Sequence, residues 1–575
     1  MGPSIILKDA LKTFTLDQDK IIAPEDTLKK VRQRFGELDL KILDKTVRID
    51  NGRLDIPVYF SVCGADAKRL TGTKKQMGKG ATPVQAETSA VMELVERFSF
   101  YHFAGNPENF IMDTFRNLKD PAISFELIAK SVHDGSDDLP ITKEIFADIP
   151  MRWAWGYDLT EGRAIRVPFD WFFAINEFNG TSAGNCPEEA LCQGICEIVE
   201  RHVSAMICRD KIKVAGIRPE SATDPATVDM LRKYQAAGIR MFLSDFTCDM
   251  GIPTVGALAF DPSTFPEKSE IVWTAGTTPD PQKALSRALS ETAQLAGDFN
   301  TGSNYVASGL PKFKVLEEAG YITHPGVLVD ISQLPDISSP NIKLEVENCL
   351  SRLAQKNFSV ISMDTTHPQL RLPAYYSVIP GAHFRERAQG TSVGMFSCKL
   401  MVEKFPPETA IQKLTGMNKA LPGRYYVQFY LGMCHLAQED PETAYRHFAA
   451  ALELNPDPQD IPSIYSYMGV CLKDLGDYRE ALAVLQKGEA LDMERTDIYN
   501  LMGFCWFMLK QHEKAIACFQ KVIRLNPSSA IDYANIASNY RDMGDKGNAI
   551  SYYQMALDID PGIEFARTNL EKLIE

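Results

Sequence analysis

A glycine followed twelve residues later by an alanine recurs through the last third of the chain, and that period leaves few folds open. Gly432, Gly469 and Gly503 open similar phrases in LGMCHL, MGVCLK and MGFCWF, and Ala537 holds the equivalent place in IASNYR. Ala444, Ala481, Ala515 and Ala549 stand twelve residues on, and Phe448, Leu485, Phe519 and Tyr553 follow four later. Pro456, Pro527 and Pro561 close three of the four units. The last two steps are 34 residues; the first is 37, with the surplus expected near 458–460. Small residues at fixed places let two helices pack closely, and proline ends the second. Such a unit cannot bury its apolar face alone, so the units must stack.

The pattern resembles the tetratricopeptide repeat and spans roughly residues 425–575. It predicts an all-α solenoid of about four repeats with a concave groove for a partner segment. An array that only buttresses the rest of the protein or dimerises is the alternative. Repeats of this kind carry no chemistry of their own.

At 575 residues the chain exceeds one core. A net charge of −14 argues against bulk nucleic-acid binding, which needs lysine and arginine in excess. No apolar run approaches the roughly 18–20 residues of a membrane span, and the first residues lack the basic and apolar regions of a signal peptide. A cytoplasmic protein is expected. The twelve cysteines form no CxxC pair. Cys192 and Cys196 could share a helix face, but buried, reduced thiols are the expectation. HExxH, GxSxG and P-loop motifs are absent, so any nucleotide must bind without a P-loop. None of the nine histidines stands in a recognisable catalytic constellation.

Three segments in the first 400 residues share one grammar: a capping residue, a proline, then a long helical pattern. They begin at Thr82-Pro83, Asn185-Cys186-Pro187 and Asp280-Pro281. Thr82 with Gln85, and Asn185 with Glu188, have capping-box spacing. At about 100° per residue, Ser89, Glu93, Glu96 and Arg97 fall in one stripe of the first helix. Gln193, Glu197, Glu200 and Arg201 do so in the second, and Arg287, Glu291 and Gln294 in the third. Nearly everything else on these helices is apolar, the reverse of a surface helix. Five carboxylates in buried seams need compensation. Three arginines supply part, and Mg²⁺, which takes hard oxygen ligands and bridges to phosphate, would supply the rest. Ordinary Glu–Arg helix pairs are the plainer alternative.

These phrases resemble the YcaO family. GKGATPVQAETSAVMELVERF is similar to the family's GKG segment leading into SxxExxER, and NGTSAGNCPEEALCQGICEIVERH to its second acidic helix. ALSRALSETAQ resembles its RALxExxQ helix, and MDTTHPQLRLPAYYSVIPG its closing segment. The resemblance spans roughly residues 15–385 and implies an α/β domain that binds ATP through acidic helices. It further implies a nucleotide and magnesium site formed by Ser89, Glu93, Glu96, Arg97, Asn185, Glu189, Glu197, Glu200, Arg201, Arg287 and Glu291. KIIAPEDTL would add Lys20 and Thr27, and Lys79 is a candidate phosphate contact. The metal ligands expected within this set are Glu93, Glu96, Glu189, Glu197, Glu200 and Glu291.

The expected organisation is therefore an α/β domain over 1–398, a connector over 399–424 containing FPPE and ALPG, and the solenoid over 425–575. The resemblance implies ATP-dependent activation of a peptide or protein backbone amide. Thioamidation or a role in β-methylthiolation of a ribosomal protein is preferred, since the wording is closest to stand-alone YcaO proteins. Ring-forming members typically end in a PxPxP tail, whereas this sequence ends FARTNLEKLIE; azoline formation is the lesser alternative. The repeats would recruit the substrate protein or a sulfur-delivering partner. A degenerate, ATP-binding scaffold is the non-enzymatic alternative.

Overall fold

The computed structural model describes every residue except 1, 3, 74, 303–304, 306–309, 385–390 and 575. It divides into one unit of residues 1–136 and 150–392, and a second of 137–149 and 393–575.

The first unit is α/β. Three antiparallel strands, β1 (Leu43–Arg48), β2 (Val58–Cys63) and β3 (Lys75–Lys79), form a small sheet in that order. A six-stranded antiparallel sheet comprises β4 (Phe110–Asp113), β5 (Met151–Asp158), β6 (Arg163–Pro168), β7 (Thr181–Ala183), β13 (Ile361–Asp364) and β14 (Ala374–Val378). The third sheet runs β11 (Val272–Thr277), β10 (Thr254–Phe260), β9 (Arg240–Asp245), β8 (Gly216–Ile217), β12 (Leu328–Val329). Only its last pairing is parallel. Strands β10 and β11 are buried along their whole length, as a sheet covered on both faces requires.

The three striped segments form the helices Pro83–Gly105, Pro187–Asp210 and Pro281–Ala296. Thr82 and Gln85 make the expected capping box, and Asp280 caps through the Gln282 N–H. The second start differs. Cys186 occupies the cap position without a side-chain bond, while Asn185 donates to Glu189 and Glu188 accepts the Lys8 N–H at 2.6 Å. Thr27, which donates to the Asn185 amide oxygen, and Lys8 have taken the two side chains that would have formed the capping box.

Two glycines let striped helices lie directly on strands. A Cβ on Gly78 of β3 would stand 2.0 Å from the Ala90 nitrogen, and one on Gly276 of β11 2.4 Å from the Ala284 carbonyl oxygen. Every heavier residue would push the helix off the sheet.

The second unit is helical. Its paired helices are Tyr425–Ala437 with Pro441–Glu453, Ile461–Asp474 with Tyr478–Leu491, Thr496–Met508 with His512–Leu525, and Ala530–Asp542 with Lys546–Ile559. Glu564–Ile574 follows as a single helix. Gly432, Gly469 and Gly503 sit against Phe448, Leu485 and Phe519 of their own pairs, so the period read from the sequence is the packing contact itself. The three surplus residues lie in the connection between Glu453 and Ile461.

The stretch read as a connector is largely helical, containing the second half of Val393–Lys404 and all of Pro407–Ala420. Its prolines misled because Pro407 stands in the first turn, where a missing N–H costs nothing. Among the described residues no helix is long and apolar enough to cross a membrane.

Candidate functional site

The three polar stripes of the first unit face one cavity of about 1010 Å³. Every residue singled out above lines it: Lys20, Thr27, Lys79, Ser89, Glu93, Glu96, Arg97, Asn185, Glu189, Glu197, Glu200, Arg201, Arg287 and Glu291, with Gln193 and Gln294. No histidine lines it among the described residues.

Its floor is a lattice of opposed charges. Lys79 pairs with Glu291 across two elements. Arg97 stands 3.5 Å from Glu96 and 3.8 Å from Glu93, with its guanidinium over the Phe178 ring. Arg201 stands 3.5 Å from Glu197, and Arg287 3.6 Å from Glu200. These arginine pairs are longer than a good charge-assisted hydrogen bond. Neutral groups hold the carboxylates more closely. Thr181 donates to Glu96 at 2.6 Å, the Thr277 N–H to Glu200 at 3.1 Å, and the Gly180 N–H to Glu197 at 3.3 Å. Glu189 accepts the Ile21 N–H at 2.7 Å and the Asn185 N–H at 2.9 Å. Thr27 donates to the Asn185 amide oxygen at 3.2 Å.

Burial is the largest influence on Glu96, Glu93 and Lys79. It raises Glu96 to about 8, with Glu197 and Glu93 adding repulsion, and it raises Glu93 as well. It pushes Lys79 down to about 7, helped by Arg287. Burial disfavours the charged form of these acids and of the lysine alike.

The sequence pointed only to Lys20 in the segment that closes one side of the cavity. Residues 8–21 run as a strap held by distant partners. Lys12 pairs with Asp19 at 2.6 Å and Glu345 at 2.5 Å, and Lys283 donates to the Thr15 and Leu16 carbonyls at 2.9 and 2.7 Å. Asp17, only 4% exposed, accepts the Ala81 N–H at 2.6 Å and the Gln85 amide at 2.5 Å. It thereby latches the strap to the GKGA turn that carries Lys79. No periodicity marks these residues, because the strap is neither helix nor strand.

The model of the family described as YcaO cyclodehydratase, ATP- and Mg²⁺-binding, matches residues 77–383. The chain belongs to the YcaO family. Tetratricopeptide-repeat models match 425–458, 496–529 and 533–563.

Among relatives of this YcaO chain is an uncharacterized protein of Methanothermobacter thermautotrophicus, 24% identical over 63% of this chain and 94% of its own. The ribosomal protein S12 methylthiotransferase accessory factor YcaO of Escherichia coli is 24% identical, over 50% of each chain. Among solved structures, a YcaO from Methanopyrus kandleri bound with AMPPCP and Mg²⁺ superposes with TM-score 0.50 and 22% identity, over 65% of this chain and 95% of that one. A heterocyclase in complex with substrate and cofactor gives TM-score 0.55 and 22% identity over 66% of this chain. This chain spans 55% of that heterocyclase's length.

The family's cofactors are ATP and Mg²⁺, and the residues of this cavity fit them. Nine carboxylate side chains line it against six lysines and arginines, a deficit that divalent cations would fill. The Arg201 Nε is buried without a hydrogen-bond partner, an orphaned donor of the kind a phosphate oxygen satisfies. Among the described residues no three side chains already converge as a metal site.

Proposed function

We propose that this protein is an ATP-dependent enzyme that activates a backbone amide of a peptide or protein, with thioamidation or a role in β-methylthiolation of a ribosomal protein as the outcome. The observation that carries the reading is one cavity in which carboxylates from three helices are interleaved with lysine and arginine. When bound, Mg-ATP supplies the γ-phosphoryl group that makes the amide oxygen a leaving group, so that an amide and hydrogen sulfide give a thioamide, ADP and phosphate.

The chain's residues have separable roles in that reading. Glu93, Glu96, Glu197, Glu200 and Glu291 would hold magnesium, with Glu189 beside them at the Asn185 turn. Lys79, Arg97, Arg201 and Arg287 would neutralise phosphate oxygens and the charge that develops during transfer. Thr181, Gly180 and Thr277 set the orientation of three of the carboxylates. Lys20, Thr27, Ser89 and Asn185 would contact the nucleotide, and Asp17 keeps the strap and the GKGA turn together. The repeats would hold the substrate protein or a sulfur donor, in a cytoplasmic setting.

The test is mass spectrometry of a protein extract incubated with the full-length protein, Mg-ATP and sulfide. Exchange of one oxygen for sulfur in a peptide supports the reading, and loss of one water instead would assign azoline formation. Nucleotide binding with neither change in any peptide would leave the non-enzymatic scaffold, its output carried by the repeats.

A further inference from the structure

The small sheet β1–β2–β3 has two unlike faces. On one, Gly78 lies against the Pro83–Gly105 helix, Ser61 donates to the Ala90 carbonyl at 2.7 Å, and Thr46 donates to Glu87 at 2.6 Å. Side chains alternate along a strand, so the opposite face carries the residues between. Register places Val47 opposite Phe60 and Phe60 opposite Met77, in one row across the three strands. The inner row holds Lys79 and Val58, continued by Ile49, whose N–H bonds the Val58 carbonyl. The outer row is Lys75, Val62 and Lys45.

This face is graded, covered at Val58, which is 3% exposed, and opening toward β1. Val47 and Ile49 are 38% and 37% exposed, while Ile49, Phe60, Met77 and Lys79 line the cavity. Its inner row ends at Lys79 on the charged floor. The middle row is apolar. At the outer row the Lys75 ammonium lies 3.9 Å above the centre of the Phe60 ring, turned onto the face, and Lys45 on the same row is exposed. An apolar strip that begins inside a phosphate-type cavity and ends at two lysines has both continuity with that site and a charge to match.

Resting on the amide-activating reading, we infer that this face binds the substrate as an extended peptide, with an apolar side chain two residues and an acidic side chain four residues from the reactive amide. The spacing follows from the strand. Same-face positions on β3 are separated by about 6.7 Å, so Met77 and Lys75 stand roughly 7 and 13 Å from Lys79. An extended peptide advances at the same rate. Its side chain two residues out meets Met77, Phe60 and Val47, and the one four residues out meets Lys75 and Lys45.

The test uses the full chain with Mg-AMPPCP and a symmetric nonapeptide, acetyl-Glu-Gly-Leu-Gly-Gly-Gly-Leu-Gly-Glu-amide, which presents the pattern in both directions. Its partner probe replaces both glutamates by lysine, and each carries a fluorophore for anisotropy. The glutamate peptide binds about tenfold more tightly than the lysine peptide, and the Lys45→Glu, Lys75→Glu double variant reverses the order. Equal binding of the two peptides, no binding of either, or a preference that survives the double variant overturns the inference. Mg-AMPPCP binding is measured in the same samples. Its absence from the wild type would sink the amide-activating reading; its presence without peptide preference sinks only the peptide face.

Discussion

Thr181 gives its hydroxyl proton to Glu96 at 2.6 Å and receives a bond from Arg97 at 3.2 Å. One side chain on a short strand thus sets the spacing between a buried acid and its neighbouring base on the first striped helix. In Thr181→Val, Glu96 loses its closest partner and turns toward Arg97. We expect Mg-nucleotide affinity to fall about tenfold, equivalent to about 1.4 kcal/mol, by calorimetry. Thr181→Ser keeps the hydroxyl and should bind like the wild type; equal loss in both variants would show that the hydroxyl is not what matters.

Asp17 fastens the strap to the GKGA turn through two hydrogen bonds from distant parts of the chain. Asp17→Ala leaves the half-buried Ala81 N–H and the buried Gln85 amide unpaired, at a cost of about 1–3 kcal/mol. Urea unfolding should show that loss, and limited proteolysis should cut within residues 8–21 first. Unchanged proteolysis would mean that Lys12 and Lys283 suffice to hold the strap.

Gly78 has no room for a side chain beneath Ala86 and Ala90. Gly78→Ala should lower stability by about 1–3 kcal/mol and displace Lys79 along with its strand. Nucleotide affinity should therefore fall more than in an equally destabilising substitution in the repeats, such as Gly503→Ala against Phe519. Equal nucleotide affinity in the two variants at a temperature where both are folded would contradict the coupling.

His367 gives a pH prediction outside the cavity. It is 4% exposed, its ring lies 4.2 Å from that of His102 at a tilt of 59°, and its Nδ1 accepts the Gln369 and Leu370 N–H groups at 3.3 Å. Burial, with His102 adding repulsion, holds it down at about 4. The unfolded chain takes up this proton near pH 6.5. Between 6.5 and 4 the unfolded state binds more protons, so stability falls as the pH falls through that window. In His367→Asn the drop in urea midpoint between pH 7 and 4.5 should be smaller than in the wild type; an equal drop would place the acid sensitivity elsewhere.

Much of this was legible before any coordinates, for physical reasons that differ by region. The repeat period could be read because Gly432, Gly469 and Gly503 are themselves the points where paired helices touch. The stripes could be read because helical spacing turns sequence position into a face, which put Glu93 with Glu96 and Glu197 with Glu200. Apart from Lys20, the strap could not, since Asp17 and Lys283 act through a few long-range bonds that leave no periodic trace. The capping role expected of Asn185 failed for a related reason: a local rule was overridden by distant partners, Thr27 on the Asn185 amide oxygen and the Lys8 N–H on Glu188. The open face of the small sheet was equally hidden, because it depends on the register of three strands whose residues are not near one another in the sequence.

The central claim is that these carboxylates bind a magnesium nucleotide, and calorimetric titration of Mg-ATP into the full-length protein and its Glu197→Gln variant tests it most directly. The account predicts saturable binding to the wild type that is lost in the variant, whose thermal unfolding stays cooperative because the Gly180 N–H still finds an amide oxygen. Equal affinity in both proteins, or no binding to the wild type at all, would contradict it.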